Sequence, residues 1–189
     1  MLKKRMQVYI SEQGEELALF EVEKAYAKKH NLLPQGVIAG RKHFQFEVLE
    51  RCDKESEELI AEEEATFLAT PIHYLKAHQN EFIYAATEEL DRVRVDAFAL
   101  EFDEEFEAYT ALFAVQLQKK HKTDIQAHLL SSLDIERAKC SVAFNAQESL
   151  WEMNIALEAM DDFNDQLTLE QVYEILYTFV FRLIEKVEV

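Results

Sequence analysis

Cys140-Ser-Val-Ala-Phe-Asn145 and Leu150-Trp-Glu-Met-Asn-Ile-Ala-Leu157 carry the reading on which the fold turns. In the first, Cys140, Val142 and Phe144 alternate with Ser141, Ala143 and Asn145. In the second, Trp151, Met153, Ile155 and Leu157 alternate with Glu152 and Asn154. A period of two places one set on each face of a pleated strand, so the pair reads as a hairpin closed by Asn145–Ser149.

The segment that must cover such a hairpin follows it. Thr168 with Gln171 three positions later forms a capping box ahead of an apolar run, which predicts a helix from Leu169 to about Val187. Its polar residues Gln171, Glu174, Thr178, Arg182 and Glu185 make one narrow stripe, and apolar side chains fill the rest. A sheet covers one side. The remaining side lies under N-terminal helices or against a second copy, so a homodimer through this helix is one expected arrangement.

Working back from the hairpin, Thr123 caps a short helix to about Leu133. Residues 81–118 read as two antiparallel strands: Val93, Val95 and Ala97 switch parity to Phe98, Leu100 and Phe102, and Tyr109 to Leu117 alternate again, with a helix as the alternative there because Ala108, Leu112 and Ala114 make the other face nearly apolar. Thr70-Pro71 restarts the chain into a short helix over Ile72–His78. No helix breaker stands between Lys42 and Thr70, which predicts a helix. Within it, residues 47–64 hold nine acidic residues against Arg51 and Lys54, a solvated face beside Leu59, Ile60, Phe67 and Leu68. Gly36–Gly40 reads as a loop or brief strand, Glu15–His30 as a helix with a strand over Leu17–Val22 as the alternative, and Val8–Ile10 as a short strand. The resulting expectation is an α+β fold, with an antiparallel sheet of hairpins packed against helices and a long amphipathic C-terminal helix. No linker composition divides residues 1–189, so a single domain is expected.

Charge and composition narrow the function classes. Twenty basic residues against 37 acidic give a net charge of −17, which repels a phosphate backbone and predicts no nucleic-acid binding. The longest uncharged runs, such as Ala65–Leu75, are too short to span a bilayer, so no membrane partner is expected. Two cysteines, Cys52 and Cys140, make no disulfide framework and fit a reducing compartment. Met1-Leu-Lys-Lys-Arg5 lacks the apolar core of a signal peptide, and a cytoplasmic protein is expected.

The motifs that carry chemistry are weak. Gly36-Val-Ile-Ala-Gly40-Arg41-Lys42 has three residues between its glycines where a phosphate loop needs four, and His43 where that loop needs a hydroxyl. His121, Asp124 and His128 share a helix face at offsets of three and seven, but no His–Glu–x–x–His or Glu–x–x–His pattern occurs, and a solvated face beside Lys119, Lys120 and Lys122 is the better reading. Asp161, Asp162 and Asp165 lack the alternation of a calcium loop. Neither cysteine and no serine lies in a nucleophile motif. No catalytic residue, cofactor site or metal site is therefore assigned, and no cofactor is expected.

Acid remains the most functional-looking feature. Glu57, Glu58, Glu62, Glu63, Glu64, Glu104 and Glu105 are the candidate surface for a basic protein partner, as in an adaptor, an inhibitor or an immunity-type protein. The competing expectation is a small-molecule binder or small enzyme with a pocket between sheet and helices, lined by Arg92, Arg94, Trp151 or Asn154.

Asn31-Leu-Leu-Pro34, Glu50-Arg-Cys-Asp-Lys-Glu55, Asn80-Glu-Phe-Ile-Tyr84, Leu117-Gln-Lys-Lys120 and Leu150-Trp-Glu-Met-Asn154 give the chain, over most of its length, a resemblance to an uncharacterised family of small acidic proteins from Gram-positive bacteria. The resemblance implies a bacterial cytosolic setting and no activity. A branched-chain aminotransferase reading sometimes attached to such proteins does not carry over, because no lysine here sits in a pyridoxal-binding signature and the chain is short for that fold.

Overall fold

The alternation at residues 140–156 does build strands: Cys140–Asn145 pairs antiparallel with Leu150–Ala156 in unbroken register, Phe144 opposite Trp151 and Val142 opposite Met153. The computed structural model describes residues 1–134, 136 and 139–188. In chain order its helices are α1 (Leu2–Gln13), α2 (Glu21–Lys29), α3 (Tyr74–Ala77), α4 (Lys122–Ser132) and α5 (Leu169–Val187). Its strands are β1 (Ala18–Leu19), β2 (Gly40–Arg41), β3 (Val48–Asp53), β4 (Leu59–Glu62), β5 (Glu81–Ala86), β6 (Ala97–Asp103), β7 (Ala108–Val115), β8 (Cys140–Asn145) and β9 (Leu150–Ala156). The last seven form one antiparallel sheet in the order β4-β3-β5-β6-β7-β9-β8, and β1 and β2 pair in parallel apart from it. The α+β class, the hairpin sheet and the long C-terminal helix are thus as expected.

In place of the helix expected from Lys42 to Thr70, the chain forms the β3–β4 hairpin, then a short 3-10 turn over Ala65–Ala69. The reason lies in how this protein turns without glycine. Asp53 Oδ1 accepts the N–H groups of Glu55 and Ser56, Asp103 Oδ1 those of Glu105 and Phe106, and Asn145 Oδ1 those of Gln147 and Glu148. Four residues after each of these, Glu57, Glu107 and Ser149 take positive φ values of 58°, 51° and 60°. The Asp and Asn side chains supply the local hydrogen bonds of the turn, so acidic clusters that look like a solvated helix are hairpin tips.

Other boundaries move for similar local reasons. Val8–Ile10 lies inside α1, not in a strand. The helix expected over Glu15–His30 is confined to Glu21–Lys29, with β1 ahead of it. Residues 81–118 hold three strands instead of two, and the parity switch before Phe98 is a turn at Arg94, whose φ is 60°. The helices expected over Thr123–Leu133 and Ile72–His78 are present as α4 and the shorter α3.

Helix α5 is the centre of the molecule. Thr168 and Gln171 close the capping box, with Gln171 N–H donating to Thr168 Oγ1 at 3.3 Å and Thr168 N–H to Gln171 Oε1 at 2.9 Å. Tyr173, Leu176, Tyr177, Val180, Phe181, Leu183 and Ile184 are fully buried. Phe98 of β6 faces Tyr173, while Phe20 packs on Tyr177 and Tyr26 of α2 packs edge-on against Phe181. The cover needed by this apolar rod is therefore supplied within the chain, by the sheet on one side and the N-terminal elements on the other. Burial of each such side chain contributes about 1.5–3 kcal/mol, which makes α5 the main organiser of the core.

Between α2, the segment before β6 and α5 lies a buried charge cluster. Glu23 is 0% exposed and accepts from Arg92 Nε at 2.7 Å, from the Tyr177 hydroxyl at 2.6 Å and from Phe20 N–H at 3.0 Å. Arg92 also stacks over the Tyr9 ring at 4.2 Å. Burial raises the Tyr177 phenol well above its usual range, and the neighbouring Glu23 carboxylate adds to this, so Tyr177 serves as a fixed hydrogen-bond donor.

Candidate functional site

Strand alternation gives the sheet two unlike faces. Toward the helices point Leu49, Ile83, Ala85, Phe98, Leu100, Ala111, Phe113, Val115, Trp151, Met153 and Ile155, all buried. The opposite face carries Tyr84, Ala86, Ala97, Ala99, Leu112, Ala114, Ser141, Ala143, Glu152 and Asn154. These range from half-buried to exposed, with Tyr84 at 36%. This face is floored largely by alanines, which have weak strand propensity and leave the space above the sheet unfilled.

Two adjoining cavities lie on it and share Ser141 and Asn154. One, of about 510 Å³, spans β5 to β8 over Tyr84, Ala97, Ala99, Leu112 and Ala143. The other, of about 930 Å³, reaches the β6–β7 tip at Phe106 and Glu107. Among the described residues, their linings contain Asp96, Asp103, Glu107, Glu136, Glu152 and Glu158 against one cation, Lys139, whose ammonium sits 4.2 Å over the Phe106 ring. Glu101, on the same face, has its carboxyl raised above the usual range by burial, opposed by Lys54. The trough is acidic at its edges and apolar at its floor.

The seven glutamates expected to form one acidic surface are divided. Glu57 and Glu58 in the β3–β4 tip and Glu104 and Glu105 in the β6–β7 tip lie at the same end of the sheet, next to the larger cavity's end. Lys54 links the two tips, donating to Phe102 O. Glu62, Glu63 and Glu64 lie at the far end of β4, where Glu63 is paired with Arg51 at 2.6 Å. Arg51 in turn holds Glu81 and the Tyr74 hydroxyl.

Of the residues expected to line a sheet–helix pocket, Asn154 alone lines these two cavities, on the open side. Arg92 is spent on Glu23, Arg94 pairs with Glu188 at 2.6 Å, and Trp151 is buried, its indole N–H donating to Gln118 O at 3.4 Å. Missing from the sequence reading were Ala99, Leu112, Ala114 and Ala143: alanine on a strand's outer face carries no motif, and the signal lay in the spacing of small residues across several strands.

A separate groove of about 410 Å³ runs between α4 and α5, past His128, Ser132, Asp161, Asp162, Glu174 and Arg182. His128 is buried. Its Nε2 faces Phe179 O at 3.1 Å and its Nδ1 faces Ser132 Oγ at 3.4 Å, so both nitrogens are engaged within the fold. It cannot join His121 and Asp124, which lie 3.6 Å apart on the surface, in a metal site. Nor do Asp161, Asp162 and Asp165 form a ligand cluster among the described residues. Cys52 and Cys140 are unpaired, on strands separated by four others, and roughly 24 Å of sheet between them forbids a bond. Burial pushes both thiols up.

Burial lowers the His128 imidazole to about 4, Lys186 and Arg182 pushing the same way and the Phe179 carbonyl opposing. The folded protein thus refuses a proton that the unfolded chain takes near 6.5, and stability present above that value is lost as pH falls toward 4. Between pH 6.5 and 5 this residue should remove about 2 kcal/mol of stability. Urea unfolding across that range, compared with His128→Gln, isolates the effect, because the other histidines are common to both proteins; equal pH slopes would contradict the assignment.

No family model, curated protein or solved structure matches this chain. Among the described residues, no helix is long and apolar enough to cross a membrane.

Proposed function

We propose that this protein is a non-catalytic binding module that receives a basic helical segment of another protein on the open face of its sheet. The observation that carries this reading is the uncovered alanine and leucine floor bordered by carboxylates. An antiparallel sheet commonly leaves one face to water and makes that face polar, whereas here the open face is floored largely by alanine and leucine. Five adjacent strands, β5 to β8, span about 19 Å, enough for a helix about 10–12 Å across. Small floor residues let its backbone approach closely. The carboxylates at the edges, on a chain of net charge −17, favour lysine and arginine on the flanks of the incoming helix and speed its association. Because α5 spends its apolar side chains internally, the open face is a better interaction surface than that helix for a partner or a second copy. The two distant, unpaired thiols support a reducing, cytosolic setting.

Capture of partners on the immobilised protein tests this. Retention of a basic protein at low salt and its weakening at moderate salt is the expected pattern. Failure to retain any basic protein under either condition would count against an acidic docking face. A small-molecule role has one observation in its favour, the polar groove between α4 and α5. Thermal-shift screening with metabolites separates the two, since a ligand of that groove would raise the melting temperature of the free protein.

A further inference from the structure

His43, Glu170 and Glu174 bring one imidazole nitrogen and two carboxylate oxygens within 4.8 Å of one another, the only such grouping of three potential metal ligands among the described residues. Glu170 and Glu174 are one helical turn apart on α5 and therefore project from the same face. His43 reaches them from the strand side, its Nδ1 lying 2.8 Å from Glu170 Oε1. The residues on either side of it are anchored: the Lys42 ammonium pairs with Glu89 at 2.7 Å, and the Phe44 ring is buried against Phe20 and Tyr177. Two of the ligands thus sit on α5, and the third on an irregular segment whose flanking residues are anchored.

We propose that His43, Glu170 and Glu174 form a zinc-binding site that clips the segment after β2 to the first turns of α5. Mixed nitrogen and oxygen donors suit this ion, which binds both at about 2.0–2.2 Å and commonly takes three protein ligands with water in a fourth position. The donors belong to an exposed histidine and two half-buried glutamates, whose side chains must draw in slightly to reach those distances. Arg41 is the competitor in the metal-free protein: its Nη2 lies 3.2 Å from both Glu174 oxygens. Its side chain is 62% exposed, and an ion pair that open to solvent is weak, so a divalent cation displaces it.

Calorimetric titration of the untagged, full chain with zinc chloride, after treatment with a chelator, tests the site. One saturable equivalent is expected in the wild type, with affinity reduced about tenfold or more in His43→Ala and Glu174→Gln. Arg41→Gln should bind zinc more tightly than the wild type, a change that general loss of structure would not produce, and circular dichroism checks that each variant is folded. Absence of saturable binding, binding unaffected by His43→Ala, or weaker binding by Arg41→Gln would each overturn the assignment.

Discussion

Arg92→Ala should lower the unfolding free energy by about 3–5 kcal/mol, one of the largest losses available to any single polar substitution in this protein. The size follows from what is left behind. Glu23 is 0% exposed, and without the guanidinium its carboxylate keeps, among the described residues, the Tyr177 hydroxyl and the Phe20 N–H as hydrogen-bond partners. Glu23→Ala should cost a similar amount by stranding Arg92. The double variant should lose less than the sum of the two, because neither charge is then left unpaired. Tyr177→Phe removes one hydrogen bond to a charged group and should cost about 1.5–3 kcal/mol. Urea unfolding followed by circular dichroism measures all four. Additive losses in the double variant would show that Glu23 and Arg92 do not depend on each other.

Ala99→Arg should weaken capture of a basic partner on the order of 100-fold, about 2.7 kcal/mol, while leaving the unfolding free energy nearly unchanged. Ala99 lies opposite Leu112 on the open face and lines the cavity there. A long cation at this position fills the floor where a helix would seat and repels its basic flanks, yet in the free protein it extends into solvent. Binding titrations on wild type and variant, with urea unfolding in parallel, separate surface blockage from loss of fold. Undiminished binding would place the partner elsewhere.

The parts of the fold legible in the sequence were those whose signal is local and redundant. Residues 140–157 alternate on both strands of one hairpin, and α5 has a capping box at its start and a single polar stripe along its length. Residues 42–70 misled because the absence of glycine and proline was read as helix. The β3–β4 turn is made instead by Asp53 accepting from the backbone and by Glu57 at positive φ, and the same arrangement recurs at Asp103 with Glu107 and at Asn145 with Ser149. An Asp or Asn four residues ahead of a polar residue, between alternating segments, was the available signal. The open face of the sheet was illegible for a different reason. Ala99, Leu112, Ala143 and Asn154 come from different strands and meet only through sheet order, which no local pattern encodes.

The most direct test of the docking face is photo-crosslinking in the protein's native cells, with a photoreactive phenylalanine placed at Leu112 on the open face and, in a separate variant, at Thr178 on the polar stripe of α5. Crosslinks from position 112 to a lysine- or arginine-rich helical segment of one partner, and none to it from position 178, are the expected result. No crosslink from 112, or the same partner captured from 178 alone, would contradict the claim that the uncovered sheet face is where this protein binds.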